Sequence, residues 1–301
     1  MSNKPLFGLN IDPSADNLPL AYKLAAIADS TNLDFIGIQD HPYNTRFLDT
    51  WTLLTFLGAR TQHVRLMPNV LNLPLRPPAP LAKAAASLDI LTSGRLEIGL
   101  GAGGFWEGIV SYGGIQRTPA EAVSALDEAM TIMRTLWQPT PSNQKVSFSG
   151  EHYQLVNTLP GPTPAHPIGI WLGALRPKML RLTGQKADGL IISSSYIPPE
   201  DVPSIQQTIN DAAQQAGRDP SAIRRAYNLM GAIVQPGSRP MVAHRKGVII
   251  GTAQHWIDEL LRYHCELQMD TFFYWPVMGE EEKQAHLFAE EVMPGVLEQL
   301  F

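Results

Sequence analysis

The alternation of eight short apolar runs with eight helical segments is the feature that most constrains the fold of this 301-residue chain. The runs have the length of buried strands, and the segments between them repeat apolar residues at helical spacing. Such alternation favours a parallel sheet, and the count of eight favours a (β/α)8 TIM barrel over a doubly wound sheet. The predicted strands are residues 6–11, 35–38, 64–70, 96–100, 168–172, 189–193, 223–234 and 270–275.

A long excursion separates the fourth and fifth predicted strands. It contains an amphipathic helix over residues 119–137, for which Thr118 is the expected N-cap, and a Pro-, Gly- and Ser-rich stretch over 139–167. Barrel-type patterning resumes afterwards, so we expect one domain over residues 1–301, with an insertion at about 103–166 after strand four. The other predicted helices cover 18–28, 49–59, 81–91, a segment ending at 184, 199–216, 252–267 and 280–299.

Composition excludes several classes of protein. The formal net charge of -5 gives no support for nucleic-acid binding. No run approaches the length of a membrane span, and the N-terminus lacks the pattern of a signal peptide, so we expect a cytoplasmic protein with no membrane partner. The single cysteine, Cys265, fits a reducing compartment and is predicted to be a small buried side chain.

One glycine-rich stretch, residues 93–104, ends a helix, forms the fourth strand and breaks into glycines. The glycines from Gly99 to Gly104 fit the Gly-x-Gly-x-x-Gly spacing of a dinucleotide-binding turn. The next helical pattern, however, begins only near Thr118, and the acidic residue further on has no second strand to occupy. The stretch therefore favours a glycine turn at a barrel mouth over a Rossmann fingerprint.

Candidate site residues follow the strands, because the active site of such a barrel lies at the carboxyl ends of its strands. After strand two, His41 is a candidate for proton transfer, and Asp40 a candidate for binding a ring N–H or orienting His41; alternatively Asp40 caps a turn and His41 packs. Glu107, after the glycine turn, is either a general acid/base or a solvated loop carboxylate. Residues 173–178 open a helix and either bind a phosphate or carry solvated charges.

Other chemistries find little support. The histidines show no metal-ligand pairing on a helix, so no metal site is predicted. No nucleophile elbow or cysteine–base pair is present, which makes acyl-enzyme hydrolysis a poor candidate.

These pieces together resemble the bacterial luciferase-like flavin-dependent oxidoreductases. The similarity is carried most specifically by residues 93–104, SGRLEIGLGAGG. It is carried as well by residues 35–41, 81–91, 119–137, 167–177 and 187–189.

The resemblance implies a TIM barrel with an insertion after strand four and a cofactor at its mouth, either reduced FMN or the deazaflavin coenzyme F420. It places a non-proline cis peptide at Asn69–Val70 beneath the ring. By position it assigns proton transfer to His41 and Glu107. The cofactor-binding residues that it implies are Asp40, Asn69, Val70, Asn72, Ala102, Gly103 and Gly104 around the ring, and Gly173, Ala174, Leu175 and Arg176 at the phosphate.

The implied activity is transfer of a hydride or of activated oxygen between the reduced ring and a small organic substrate. F420 would make the protein a dehydrogenase or reductase, whereas FMN would make it a monooxygenase served by a partner flavin reductase. The Asp-His-Pro run after strand two, where the luciferases carry a Glu-His-His-like run, leans toward the deazaflavin. The alternative is a cofactor-free barrel hydrolase or lyase, or a non-catalytic flavin-binding protein. Relatives often dimerise, and helix 49–59 is either a homodimer interface or ordinary barrel packing.

Overall fold

The computed structural model describes residues 4–141, 143–237 and 247–301. Its strands are β1 (Leu6–Asn10), β2 (Phe35–Ile38), β3 (Arg65–Pro68), β4 (Leu71–Asn72), β5 (Ile98–Gly101), β6 (Val146–Ser149), β7 (Gln154–Thr158), β8 (Ile170–Gly173), β9 (Gly189–Ser193), β10 (Arg224–Ile233), β11 (Val248–Gly251) and β12 (Thr271–Pro276). Its α-helices are α1 (Leu18–Ser30), α2 (Thr50–Gly58), α3 (Pro78–Leu91), α4 (Trp106–Ser111), α5 (Pro119–Trp137), α6 (Pro177–Lys186), α7 (Val202–Gln215), α8 (Ala253–Cys265), α9 (Glu281–Leu287) and α10 (Met293–Leu300), with a π-helical turn at Phe288–Val292.

The sheet closes into a barrel through a broken third strand. Parallel pairing runs in the order β3-β2-β1-β12-β10-β9-β8-β5-β4. β3 and β4 are consecutive pieces of one strand, interrupted at the cis peptide bond Asn69–Val70. Because β3 pairs with β2 while β4 pairs with β5, the two pieces join the ends of the sheet. Counted together they make eight barrel strands, which confirms the predicted (β/α)8 barrel.

Apolar side chains fill the lower interior of the barrel. A compact inner cluster consists of Phe35, Met67, Trp171, Ile191, Ala226 and Phe273, all buried. A much larger cluster lies between the strands and the surrounding helices. Gly99 in β5 is required by this packing, because a side chain there would collide with the carbonyl oxygen of Pro68.

The insertion after the fourth barrel strand is present and is attached to the barrel by specific contacts. Helix α5 begins at Thr118, the predicted N-cap, which forms a capping box with Glu121. The indole Nε1 of Trp137 at its other end donates to the carbonyl of Ala82 in α3, at 2.9 Å. The strands β6 and β7 then form an antiparallel hairpin outside the barrel.

The structure differs from the sequence-based elements at several places, among them the closing helix predicted over 280–299, which is divided by a π-helical turn. The third strand was expected to run unbroken to Val70, whereas it breaks after Pro68. Strand β11, which pairs with β10, and the short helix α4 were not predicted, since both are too short to show periodicity. The predicted loop 235–246 falls largely on residues 238–246, which lie outside the described residues.

Two further observations concern the expectations from composition. Cys265 at the end of α8 is exposed, so the prediction that it is buried is wrong. Among the helices of the described residues, none has both the length and the apolarity needed to cross a membrane.

Candidate active site

Two adjoining cavities open at the carboxyl ends of the barrel strands. The larger has a volume of about 520 Å³ and the smaller about 350 Å³. They share a wall that includes His41, Asn69, Val70, Ser193, Tyr196 and Asn228. Eleven residues that the sequence predicted line the larger cavity: Asp40, His41, Asn69, Val70, Asn72, Ala102, Gly103, Gly104, Gly173, Ala174 and Leu175.

The cis peptide Asn69–Val70, expected from the resemblance, is present in the shared wall. The Asn69 amide nitrogen donates to the side-chain oxygens of Asn10, at 2.9 Å, and of Asn228, at 2.7 Å. The Asn228 amide nitrogen donates in turn to Ser193 Oγ at 3.1 Å. This chain of hydrogen bonds crosses the barrel and fixes the orientation of Asn69, which with Val70 forms a ledge in the cavity wall.

Glycines on two neighbouring strands leave room for the Val70 side chain. A Cβ added at Gly101 would lie 2.9 Å from Val70 Cγ2, and one at Gly173 would lie 3.0 Å from the same atom. Gly103 has φ +100°, a conformation that residues with a side chain rarely adopt. The glycines therefore shape the floor of the larger cavity around Val70.

Asp40 is buried and held by a cation that lies far from it in sequence. Arg76 donates to both carboxylate oxygens, at 2.8 Å each, and the backbone N–H of Asn72 donates to Oδ2 at 2.9 Å. Arg76 also donates to Asp49 at 2.6 Å. Burial lowers the pKa of Arg76, but its hydrogen bonds to the two carboxylates raise it above the ordinary value overall. Asp40 is thus a fixed anion in the cavity wall, and Arg76 is engaged there.

Asn72 lines the larger cavity and has a side-chain acceptor without a partner among the described residues. Its Oδ1 is buried and has no hydrogen-bond partner within the described part of the chain. A buried polar atom without a partner is costly, and it is satisfied when a bound molecule supplies a donor. The N–H of a flavin or deazaflavin ring is such a donor, so the residues present fit a ring of this type.

His41 lies at the edge of both cavities, and contacts with aromatic side chains restrain it. Its Nδ1 forms a hydrogen bond with the Tyr43 hydroxyl at 2.9 Å, and the Tyr43 ring meets Phe105 edge-on at 5.2 Å between centroids. Partial burial lowers the pKa of His41, and the neighbouring charge of Asp40 partly offsets this. The imidazole is therefore biased toward the neutral form, which can accept a proton.

The structure does not bring Glu107 and Arg176 into the cavity wall. Glu107 is exposed in the first turn of α4, and no residue of this helix lines either cavity. Arg176 is the exposed N-cap residue of α6, directly after Gly173, Ala174 and Leu175, which do line the cavity. The catalytic role of Glu107 and the phosphate-binding role of Arg176 stay predictions.

Sequence reasoning missed several polar residues of the mouth. Asn10 and Asn228 orient Asn69, while Asp12 and Gln39 line the smaller cavity. Asn10 ends the apolar strand β1, and Asn228 lies in the middle of β10. A buried amide on a central strand is the one signal that could have pointed to them. Among the described residues, no three potential ligands lie close enough together to hold a metal ion.

Comparison with known proteins finds the same family over most of the chain. The profile of the luciferase-like monooxygenase family matches residues 8–268. A 5,10-methylenetetrahydromethanopterin reductase of Archaeoglobus fulgidus is 28% identical over 259 residues, covering 80% of this chain and 74% of that protein. An F420-dependent glucose-6-phosphate dehydrogenase of Nakamurella multipartita is 30% identical over 209 residues, covering 65% of this chain and 58% of that protein.

The fold is shared with a solved F420-dependent secondary alcohol dehydrogenase, whose structure contains an F420-acetone adduct. The TM-score is 0.84 at 19% sequence identity, over 98% of this chain and 99% of that chain. At this identity the similarity concerns the fold, including the arrangement of the barrel and its insertion.

Proposed function

Because the chain belongs to the luciferase-like monooxygenase family, we propose that it is an F420-dependent oxidoreductase that transfers a hydride between the deazaflavin ring and a small organic substrate. The oxidoreductase class, with either F420 or FMN as cofactor, follows from the family and its named relatives. The choice of F420 over FMN is the proposal. With F420 as the cofactor, no partner flavin reductase is needed. We also propose that residues 1–301 act as one catalytic unit in the cytoplasm.

The observation that carries the cofactor assignment is the unpaired Oδ1 of Asn72, buried in the wall of the larger cavity. It lies beside the ledge formed by Asn69 and Val70 and next to the fixed carboxylate of Asp40. The preference for F420 is supported by the Asp40-His41 pair and by relatives whose names include F420.

When bound, F420 supplies hydride transfer at its ring, while the protein supplies orientation and exclusion of water. Val70 would support one face of the ring, and Asn72 would accept a hydrogen bond from its edge. The backbone of Gly173, Ala174 and Leu175, where helix α6 begins, would bind the phosphate together with Arg176. His41 would move a proton at the edge where the two cavities meet.

We propose that two copies of the chain associate through the outer faces of α2 and α3. Phe56 in α2 is 44% exposed, and Leu91 at the end of α3 is 77% exposed. Gly58 of α2 packs close to Thr92 just after α3, so the two helix ends are adjacent. Large apolar side chains exposed on neighbouring helices support a protein–protein interface at this surface.

The experiment that tests this function is a fluorescence titration of the purified protein with F420, with oxidised FMN and with reduced FMN. We expect F420 alone to bind tightly. We expect Arg176→Ala to weaken F420 binding about tenfold to a hundredfold, because a charge-assisted contact to phosphate is lost. The control Lys186→Ala removes the same charge at the other end of α6, where Lys186 pairs with Asp127, and should leave affinity unchanged.

Each result of the titration selects one function. Tight binding of reduced FMN alone would replace the proposal with oxygen-dependent monooxygenation. Binding of neither cofactor would overturn it and point to a cofactor-free barrel. F420 affinity that is equal in Arg176→Ala and wild type, with unchanged thermal melting, would refute the phosphate assignment alone.

A further inference from the structure

The smaller cavity contains a carboxylate in addition to the predicted site residues. Asp12 lies just beyond the end of β1 and lines this cavity of about 350 Å³. Asn69 and Val70 form part of the wall of both cavities. A molecule in the smaller cavity would therefore lie next to a ring bound over Val70, with Asp12 beside it.

The side chains that hydrogen-bond to Asp12 are neutral, whereas Asp40 is held by an arginine. The Asp12 Oδ1 accepts a hydrogen bond from the Gln39 amide at 2.5 Å, and the Trp275 indole lies close enough to lower the pKa of the carboxyl. Over residues 4–141, 143–237 and 247–301, Asp12 forms no ion pair with lysine, arginine or histidine, whereas Arg76 holds Asp40. Burial raises the pKa of Asp12 above its ordinary value, against the lowering by Gln39 and Trp275.

Three titratable groups act on Asp12 or share its cavity, one of them Tyr196, which borders the cavity and is exposed. Glu281, in the first turn of α9, has a pKa that burial raises and that the charge of Asp12 raises further. His41 borders the same cavity, with its Nδ1 engaged by Tyr43. Simultaneous ionisation of the neighbouring Asp12 and Glu281 carboxyl groups is unfavourable, because like charges repel. A proton is therefore retained more readily on this pair of carboxyl groups.

We propose that Asp12 exchanges a proton with the oxygen of the substrate, so that the reacting group held in the smaller cavity is an alcohol or a carbonyl. This inference rests on the proposed F420-dependent hydride transfer. It assigns to Asp12 the proton-transfer role that the sequence assigned to Glu107, which is exposed outside the cavity.

The step balances in atoms and electrons. In the oxidation direction, the alcohol O–H gives its proton to the Asp12 carboxylate. The C–H bond of the same carbon breaks, and its hydrogen leaves with the electron pair as a hydride to oxidised F420. The products are the carbonyl compound, the reduced cofactor and protonated Asp12; carbonyl reduction runs the same step in reverse, with Asp12 as the acid.

The composition of the cavity suits such a substrate. The Gln39 amide and the Trp275 indole converge with Asp12 and can bind the same oxygen. Ile11 and Met230 supply apolar surface for the carbon substituents. In an alcohol or ketone with small apolar substituents, the oxygen can bind the polar side chains and the substituents can pack against the apolar ones.

An infrared pH titration of the full-length protein without cofactor measures the protonation of Asp12 directly. We expect a carboxylic-acid C=O band that disappears in Asp12→Asn and that titrates above the ordinary aspartate range. The matched control Asp16→Asn, an exposed aspartate near the same strand, should retain that band. Spectra of wild type and Asp12→Asn that are identical across the pH range would overturn the proposal.

Turnover supplies the second test, with F420 and a panel of small secondary alcohols and ketones as probes. We expect Asp12→Asn to lower kcat by about 10²–10⁴-fold, while F420 affinity stays within about twofold of wild type. Asp12→Glu retains the carboxyl in a displaced position and should keep partial activity with a shifted pH profile. A wild-type rate and pH profile in either folded variant would overturn the role of Asp12.

Failure of the two proposals can be distinguished. Loss of F420 binding by wild type would overturn the proposed function. F420 binding by wild type without turnover of any alcohol or ketone in the panel would instead overturn the substrate class inferred from Asp12.

Discussion

His166 shows how a single residue attaches the end of the insertion to the barrel. Its Nδ1 lies 2.8 Å from the buried carboxylate of Asp89 in α3, and its Nε2 lies 3.7 Å from Glu97. The backbone N–H of His166 also donates to Asp89. Hydrogen bonding to Glu97 raises the pKa of His166, partial burial lowers it, and the charge of Asp89 raises it further, for a net increase.

This raised pKa predicts a pH-dependent contribution to stability. A group whose pKa is higher in the folded state stabilises the protein fully below its unfolded pKa, about 6.5 for histidine, and this contribution is lost as pH rises through the folded pKa. Urea unfolding of wild type and His166→Gln should therefore differ more at about pH 5.5 than at about pH 8.5. His63→Gln, which changes an exposed histidine, is the control.

An equal difference in unfolding free energy at both pH values would show that His166 stabilises the fold by packing alone. A larger difference at the higher pH would contradict the assigned direction of the pKa shift.

At the scale of elements, Arg95 joins the segment before β5 to the end of α2. Its guanidinium donates to the carbonyls of Gly58, Thr61, Val64 and Thr92 and to the Thr61 hydroxyl, at 2.7–3.0 Å. Carbonyls at a helix C-terminus lack partners within the helix. The arginine of the Ser-Gly-Arg run is therefore structural, while the glycines that follow it shape the active-site mouth.

Replacing Arg95 should destabilise the barrel. We expect Arg95→Ala to lower the free energy of unfolding by about 2–4 kcal/mol, because partly buried carbonyls lose charge-assisted donors. Arg95→Lys should recover only part of this, since an ammonium cannot reproduce the planar fork. Urea unfolding measures both variants. The exposed Arg181→Ala serves as control and should change stability by less than about 0.5 kcal/mol.

A loss in Arg95→Ala no greater than that in Arg181→Ala would mean that water satisfies these carbonyls equally well. The structural assignment of Arg95 would then be wrong.

At the scale of the whole molecule, the side chains that stabilise the barrel and those that line the candidate active site lie in different parts of the fold. Packed side chains fill its lower interior, while both cavities open at the carboxyl ends of the strands. The outer helices remain available for association. The apolar side chains on α2 and α3 support the proposed homodimer, and Val156 on the β6–β7 hairpin, which is 74% exposed, offers a comparison surface.

Light scattering after size-exclusion chromatography tests the homodimer. We expect a dimer for wild type, a monomer for the double variant Phe56→Glu with Leu91→Glu, and a dimer for Val156→Glu. Two buried charges at the centre of an apolar interface oppose association, whereas a charge on another surface does not. A monomeric wild type, or dissociation by Val156→Glu alone, would contradict the proposed interface.

The sequence determined the parts of this protein that depend on local patterns. Apolar runs and helical periodicity predicted the eight-stranded barrel and its insertion, because secondary structure follows from neighbouring residues. The glycine turn and the Asp40-His41 pair located the mouth, because parallel strands end at the same rim.

Only the tertiary structure decided which side chains meet at that mouth. Asn10 and Asn228 are 218 positions apart and yet share a hydrogen-bond network with Asn69. Arg76 reaches Asp40 across 36 positions, while Glu107, close to the glycines in sequence, is turned outward on α4. Such contacts depend on closure of the barrel and on the direction of each side chain, and no local pattern of residues records either.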